Sequence, residues 1–174
     1  MGALEHQCLV LNRSWQGRTL LLVAIASSLV AGAAPLADLK PRPEMSPEQV
    51  VQFQVAALQH NDDPQTDAGI ERAFRFASPS NKTATGPLEK FVRIIKSPAY
   101  SPMLNNVSSS IVGSDVEGDK AKIAVKVFGL TGRQVTYVFV LSKQGEGEFS
   151  NCWMTDAVMP LDGGEDSSDQ GLTI

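Results

Sequence analysis

The apolar residues of this chain change their period once, near Val107, and that change decides the fold class. From Ser46 to Ile95 they recur at helical spacing; beyond Val107 they alternate with a period of 2. Ala121, Ile123, Val125 and Val127 alternate with Lys120, Lys122, Ala124 and Lys126, which describes a half-buried strand. After the turn Gly129-Leu130-Thr131-Gly132, Val135, Tyr137, Phe139 and Leu141 face one way and Gln134, Thr136, Val138 and Val140 the other. Gly145-Glu146-Gly147 makes the next turn, and Phe149 to Val158 reads as a further strand. A weaker strand, Val107 to Ser114, precedes these and closes on a turn around Glu117-Gly118-Asp119. Four sequential strands with short turns predict an antiparallel meander. Helices first and strands second predict an α+β fold, with about three helices packed on one face of a curved sheet.

The helical half opens on several signals at once. Ser46 suits an N-cap, Pro47 the first helical position, and Gln49 completes a capping box, with Met45 and Val50 placed as a hydrophobic staple. Val51, Val55 and Leu58, widened by Val50, Phe53 and Ala57, line one face; Asp62-Asp63-Pro64 ends the helix near His60. Ile70, Ala73, Phe74 and Ala77 predict a second amphipathic helix, and Leu88, Phe91, Val92 and Ile95 a third, opened by Gly86-Pro87 and supported by a Glu89–Arg93 pair. Between them Ser78 to Gly86 reads as a loop dense in hydrogen-bonding side chains. Residues 98–106 read as another loop.

With 174 residues and 43% hydrophobic content the chain has enough material for one core, placed here in residues 46–160. The net charge of −4 and scattered Lys and Arg argue against nucleic acid as a partner. Two cysteines, Cys8 and Cys152, and two histidines, His6 and His60, supply neither a disulfide framework nor a metal-ligand set. No nucleotide, nucleophile-elbow or zinc motif is present, and no cofactor is implied.

Residues 1–37 read as an export or transit leader: Arg13 and Arg18 precede the uncharged stretch Thr19 to Ala37, and Ala31-Gly32-Ala33 fits a cleavage site before Ala34, with cleavage after Ala37 as the alternative. The alternative is an uncleaved membrane anchor over residues 19–37, since about 20 apolar residues can span a bilayer. Residues 38–45, with two prolines, read as an extended linker, and 161–174 as a disordered acidic tail.

The segments MSPEQVVQFQVAALQHND, DAGIERAFRFASPSNKTATGPLEKF and CWMTDAV resemble a family of uncharacterised domains of proteobacteria, cyanobacteria and plant plastids. The resemblance covers residues 45–160 and is carried by the AFRFASP-x-N-x-x-TGP core. It implies kinship with the nuclear transport factor 2-like and SnoaL-like cone folds, in which helices pack into a curved sheet around a pocket. Such folds host isomerases, cyclases and dehydratases as well as binding and dimerising members, so activity stays open. The short segment between the second and third helices departs from the usual cone order and implies a smaller or shallower pocket.

Several residues are candidates for chemistry. Asp156 shares strand parity with Cys152, Met154 and Val158; facing the concave side among apolar groups, it would have a raised pKa and serve as a general base. The competing reading is a strand-end Asp that accepts backbone hydrogen bonds. Ser80, Asn81 and Thr85 could bind a carboxylate or phosphate, or cap their own helices. Arg72 and Arg75 could bind an anion, and Trp153 could line a pocket or sit in the core. His60 beside Asp62 and Asp63 offers an acid–base couple, a weak divalent-ion site or a helix-end cation. Asn81-Lys82-Thr83 and Asn106-Val107-Ser108 match the glycosylation sequon, relevant only on an endoplasmic-reticulum route.

Two functions are compatible with these residues. One is an exported, non-catalytic binding or assembly module, thylakoid-lumenal or periplasmic, for a protein or small-molecule ligand. The other is a small cofactor-free isomerase or dehydratase-like enzyme with Asp156 as base and Asn81 or Thr85 orienting substrate. Membrane contact is expected only through an uncleaved leader. Sheet-face dimers are common in the resembled cone folds, so the resemblance, with Val138 and Val140 on the second sheet face, implies a homodimer.

Overall fold

The computed structural model describes residues 39–161. The leader and the acidic tail lie outside these residues, apart from Leu161. Helices α1 (Pro47–Gln59), α2 (Ala68–Arg75), α3 (Pro79–Thr85) and α4 (Leu88–Ile95) come first, followed by a 3₁₀ turn at Ser101–Met103. Strands β1 (Ser108–Glu117), β2 (Lys120–Phe128), β3 (Gln134–Lys143) and β4 (Trp153–Leu161) complete the domain. The sheet has the order β1-β2-β3-β4, every pair antiparallel, and is open and curved. No helix among the described residues is long and apolar enough to cross a membrane.

The start of α1 follows its local sequence. The Ser46 hydroxyl accepts from the Gln49 N–H at 3.2 Å, and the Ser46 N–H donates to Gln49 Oε1 at 2.8 Å, which closes the capping box. The helix buries Val50, Val51, Phe53, Val55, Ala57 and Leu58. On the sheet they meet Ala121, Ile123, Val125 and Val127 of β2 and Val135, Tyr137, Phe139 and Leu141 of β3, all buried. Each large apolar side chain taken out of water this way contributes about 1.5–3 kcal/mol.

Helix α2 crosses α1 closely because Gly69 stands at the contact: a Cβ there would lie 2.1 Å from the Ala57 carbonyl oxygen. The Gly69 N–H donates to Asn61 O at 2.8 Å. Around the α1–α2 link, Asn61 and Asn105 donate to the two oxygens of Asp62 at 2.8 and 2.9 Å, and Lys96 pairs with Asp67 at 2.7 Å. The hydrogen bond from Asn105, with help from the Asp67 N–H, holds the Asp62 carboxyl below its ordinary pKa.

Four local expectations are corrected. Ser78 to Gly86 is not a loop: Pro79–Thr85 form α3, with the Ser78 hydroxyl accepting from the Asn81 N–H at 3.2 Å and Pro79 at a position that needs no N–H. The Glu89–Arg93 pair does not form; the ion pairs among the described residues are Arg75–Glu71 and Lys96–Asp67. The last strand begins at Trp153 rather than Phe149, because Asn151 adopts a left-handed conformation (φ 61°) that ends the preceding turn. The first strand runs on to Glu117, three residues past Ser114, paired with β2 on both sides of a bulge at Val112.

Candidate functional site

The residues 76–78 that link α2 to α3 run alongside β4 as a short parallel segment. Ala77 forms a bridge with Thr155, the Thr155 N–H donates to Phe76 O at 2.9 Å, and the Ser78 N–H donates to Thr155 O at 2.9 Å. This covers part of the free edge of β4 and sets α3 beside the strand. Asn81 fastens the arrangement, its Nδ2 donating to Thr155 O at 3.0 Å.

On β4 the register shifts between two consecutive pairs: Val140 opposes Ala157 and Leu141 opposes Thr155, so Asp156 is the extra, bulged residue. The bulge changes the strand's parity. Before it, Trp153 and Thr155 share the face that Val158 takes after it, so Asp156 does not belong to one set with Cys152, Met154 and Val158. Nor is it a strand-end residue, since β4 continues to Leu161. Strict alternation placed it wrongly because a bulge leaves no mark in a period-2 pattern.

Between α3, α4 and β4 lies a cavity of about 270 Å³. Asn81, Ala84 and Thr85 of α3 form one side, Phe91, Ile94 and Ile95 of α4 another, and Thr155 to Val158 the third. Gln54 of α1, Ala77 and Tyr100 complete the lining. The floor is polar and interlocked. The Thr155 hydroxyl donates to Gln54 Oε1 at 2.7 Å, while Gln54 Nε2 donates to Ala73 O at 3.0 Å. Thr85 Oγ1 lies 2.8 Å from Asn81 O and 3.0 Å from Asn81 Oδ1. The Tyr100 hydroxyl donates to Val158 O at 3.0 Å. Gln54, Asn81 and Thr155 are all buried. The Asp156 carboxylate is half-buried on the wall and has no hydrogen-bond or ion-pair partner among the described residues.

Of the residues singled out from the sequence, the fold brings Asn81, Thr85 and Asp156 together. Ser80 is exposed, its hydroxyl 2.9 Å from that of Ser78. Arg75 lies outside the cavity and pairs with Glu71 at 3.2 Å. Trp153 is buried in the main core. Arg72 is buried too, donating to the carbonyls of Ala68, His60 and Asp63, so it holds a helix end and has no free face for an anion. His60 is exposed, and no three His, Cys, Asp or Glu side chains gather into a possible metal site among the described residues. Asn81 and Asn106 of the two sequons are buried and hydrogen-bonded. Neither offers an accessible side-chain amide.

Gln54, Thr155 and Tyr100 join the site without being candidates by residue type or spacing. A trace of Gln54 is present: it is a polar residue set inside the apolar run Val50, Val51, Phe53 and Val55. Nothing in the sequence singles out Thr155 or Tyr100.

Residues 42–162 match the model of a family described as Domain of unknown function (DUF4864). The chain belongs to that family. The DUF4864 segment spans every helix and strand described above, and every cavity-lining residue named above lies within it. No curated protein and no solved structure matches the chain.

Proposed function

We propose that this protein is an exported, non-catalytic binding module whose ligand is a small molecule seated between α3, α4 and β4. One observation carries the reading: Asn81, Thr85 and Asp156 converge on an apolar-walled cavity of about 270 Å³ that, among the described residues, no histidine, cysteine or second carboxylate lines. A few fixed polar groups in an apolar concavity are what small-ligand sites need, whereas general acid–base catalysis ordinarily needs a partner for Asp156. The export half of the proposal rests on the leader pattern of residues 1–37, and places the protein in a thylakoid lumen or periplasm, with a membrane anchor over 19–37 as the alternative. A relationship to the cone folds is supported by helices packed on one face of a curved antiparallel sheet with a cavity between.

Native mass spectrometry of the protein purified from its own organism tests this reading. The expected species begins near Ala34 or Asp38 and carries an additional small-molecule mass, which Ala84→Leu removes by filling the cavity from an exposed helix position. A processed chain without added mass, bound instead to another protein, would overturn the small-molecule reading in favour of an assembly module. An intact Met1 would overturn the export reading.

The second reading, a cofactor-free isomerase or dehydratase-like enzyme, is favoured by the bulge that sets Asp156 at the cavity wall, since bulges often re-aim side chains at active sites. Asp156→Asn then abolishes any turnover found. Full retention of the rate would remove Asp156 from the mechanism.

A further inference from the structure

We propose that the cavity selects an organic cation: an amine carried on a compact apolar body, with its ammonium group at Asp156. The inference rests on the small-molecule reading above and names the ligand's class. Charge comes first. Among the described residues the carboxylate of Asp156, half-buried on the wall, has no partner, and no Lys or Arg lines the cavity. The lysines of α3 and α4 are directed elsewhere. Lys82 Nζ donates to Arg75 O at 3.1 Å and lies over the rings of Phe74 and Phe149, Lys90 Nζ donates to Ala84 O at 2.7 Å, and Lys96 pairs with Asp67. An anion entering here would be stripped of water with no counter-charge, which is costly.

The hydroxyls of Thr155 and Tyr100 point the same way, because their single protons are already committed. The Thr155 hydroxyl gives its proton to Gln54, the Tyr100 hydroxyl gives its proton to Val158 O, and Asn81 Nδ2 donates to Thr155 O. Thr85 shares a single hydroxyl proton between two Asn81 oxygens, so Asn81 Oδ1 has room to accept a further donor. A ligand group that brings donors therefore fits, and an ammonium brings three. The walls of Phe91, Ile94 and Val158 call for hydrocarbon or aromatic surface on the rest of the molecule. A cavity of about 270 Å³, against about 30 Å³ for a water's share of liquid volume, admits on the order of ten non-hydrogen atoms.

Three probes of one shape separate the possibilities: benzylamine, benzyl alcohol and benzoate, titrated into the full chain at low ionic strength and followed by backbone amide NMR. Benzylamine is expected to shift the Thr85, Asp156 and Ala157 amides saturably, and to bind at least about ten-fold tighter than either other probe. Asp156→Asn is expected to erase that preference while the remaining amide spectrum stays native; Ala84→Leu, which keeps the carboxylate, is expected to weaken all three probes alike. Benzyl alcohol binding as well as benzylamine, benzoate binding tighter, or an Asp156→Asn variant that keeps the preference would each overturn the cation assignment and leave the binding site standing. Shifts at these amides with none of the three probes would overturn the binding reading itself.

Discussion

Thr155 on the last strand donates its hydroxyl proton to Gln54 in the middle of the first helix at 2.7 Å, across 101 residues of sequence. Both side chains are buried, and the carbonyl of the same Thr155 accepts from the Ser78 N–H and from Asn81 Nδ2. One residue thus joins α1, α3 and β4 at the cavity floor. Thr155→Val keeps the shape and removes the hydroxyl, leaving Gln54 Oε1 buried without its donor. The expected cost is about 1–3 kcal/mol, read as a lower urea midpoint at unchanged slope. Thr155→Ser, which retains the donor, is expected to lose less than the valine variant.

Gly69 poses a steric question rather than a polar one. A methyl group there meets Ala57 O at 2.1 Å and Asn61 Cα at 2.6 Å, both backbone atoms that cannot turn aside. Gly69→Ala therefore pushes α2 off α1, or fails to fold, at an expected cost of about 3 kcal/mol or more. Gly145→Ala, where a Cβ finds no atom within 4 Å, is the matched control and leaves the melting temperature within about 2 °C of the native value. An unchanged melting temperature for Gly69→Ala would mean that the α1–α2 crossing is looser than its geometry.

Much of this architecture is legible in the residues. Ser46, Pro47 and Gln49 act over four positions, so local chemistry alone places the start of α1. Ala121 to Val127 and Val135 to Leu141 declare their buried faces by alternation. The short helix α3 was hidden because Pro79-Ser80-Asn81-Lys82-Thr83-Ala84-Thr85 has no apolar stripe. It is held by the Ser78 cap and by Asn81 reaching to Thr155, a contact 74 residues away in sequence. The candidate site was half legible for the same reason. Asn81, Thr85 and Asp156 are conspicuous as residue types, whereas Gln54, Thr155 and Tyr100 join them only through pairings that the fold creates. Ser80 and Trp153 lie beside the right residues in sequence but point to solvent and core respectively.

Glu48 couples stability to acid. Its carboxylate accepts from the Ser114 hydroxyl on β1 at 2.5 Å and from the Ser46 hydroxyl at 2.8 Å. The Ser114 bond, followed by a backbone N–H, holds its carboxyl below the ordinary value of 4.5, against a small opposing effect of burial. A carboxyl depressed in the folded state adds stability that is complete above its unfolded pKa and is lost as pH falls through the folded value. Native protein is therefore expected to lose more stability than Glu48→Gln between about pH 5 and about pH 3. Urea midpoints at the two ends of that window measure the difference; equal losses would show that the α1–β1 contact contributes nothing to acid sensitivity.

The sheet face turned away from the helices carries Ala124, Val138 and Val140, half-buried, with Met159 at 48% exposure and Lys122 and Lys126 beside them. The opposite face carries Ile123, Val125, Tyr137 and Phe139, which belong to the buried core shared with the helices. An apolar strip bordered by charge suits a second copy of the chain, related by a two-fold axis that brings Val138 and Val140 against their equivalents. Val138→Asp would place like charges at the centre of that contact, where each cost is highest. The expected result is a fall in solution mass from two chains to one, measured by sedimentation at several concentrations, with the fold intact by circular dichroism. A native protein that sediments as a single chain at every concentration would sink the dimer. A dimer that tolerates Val138→Asp would move the interface to another surface.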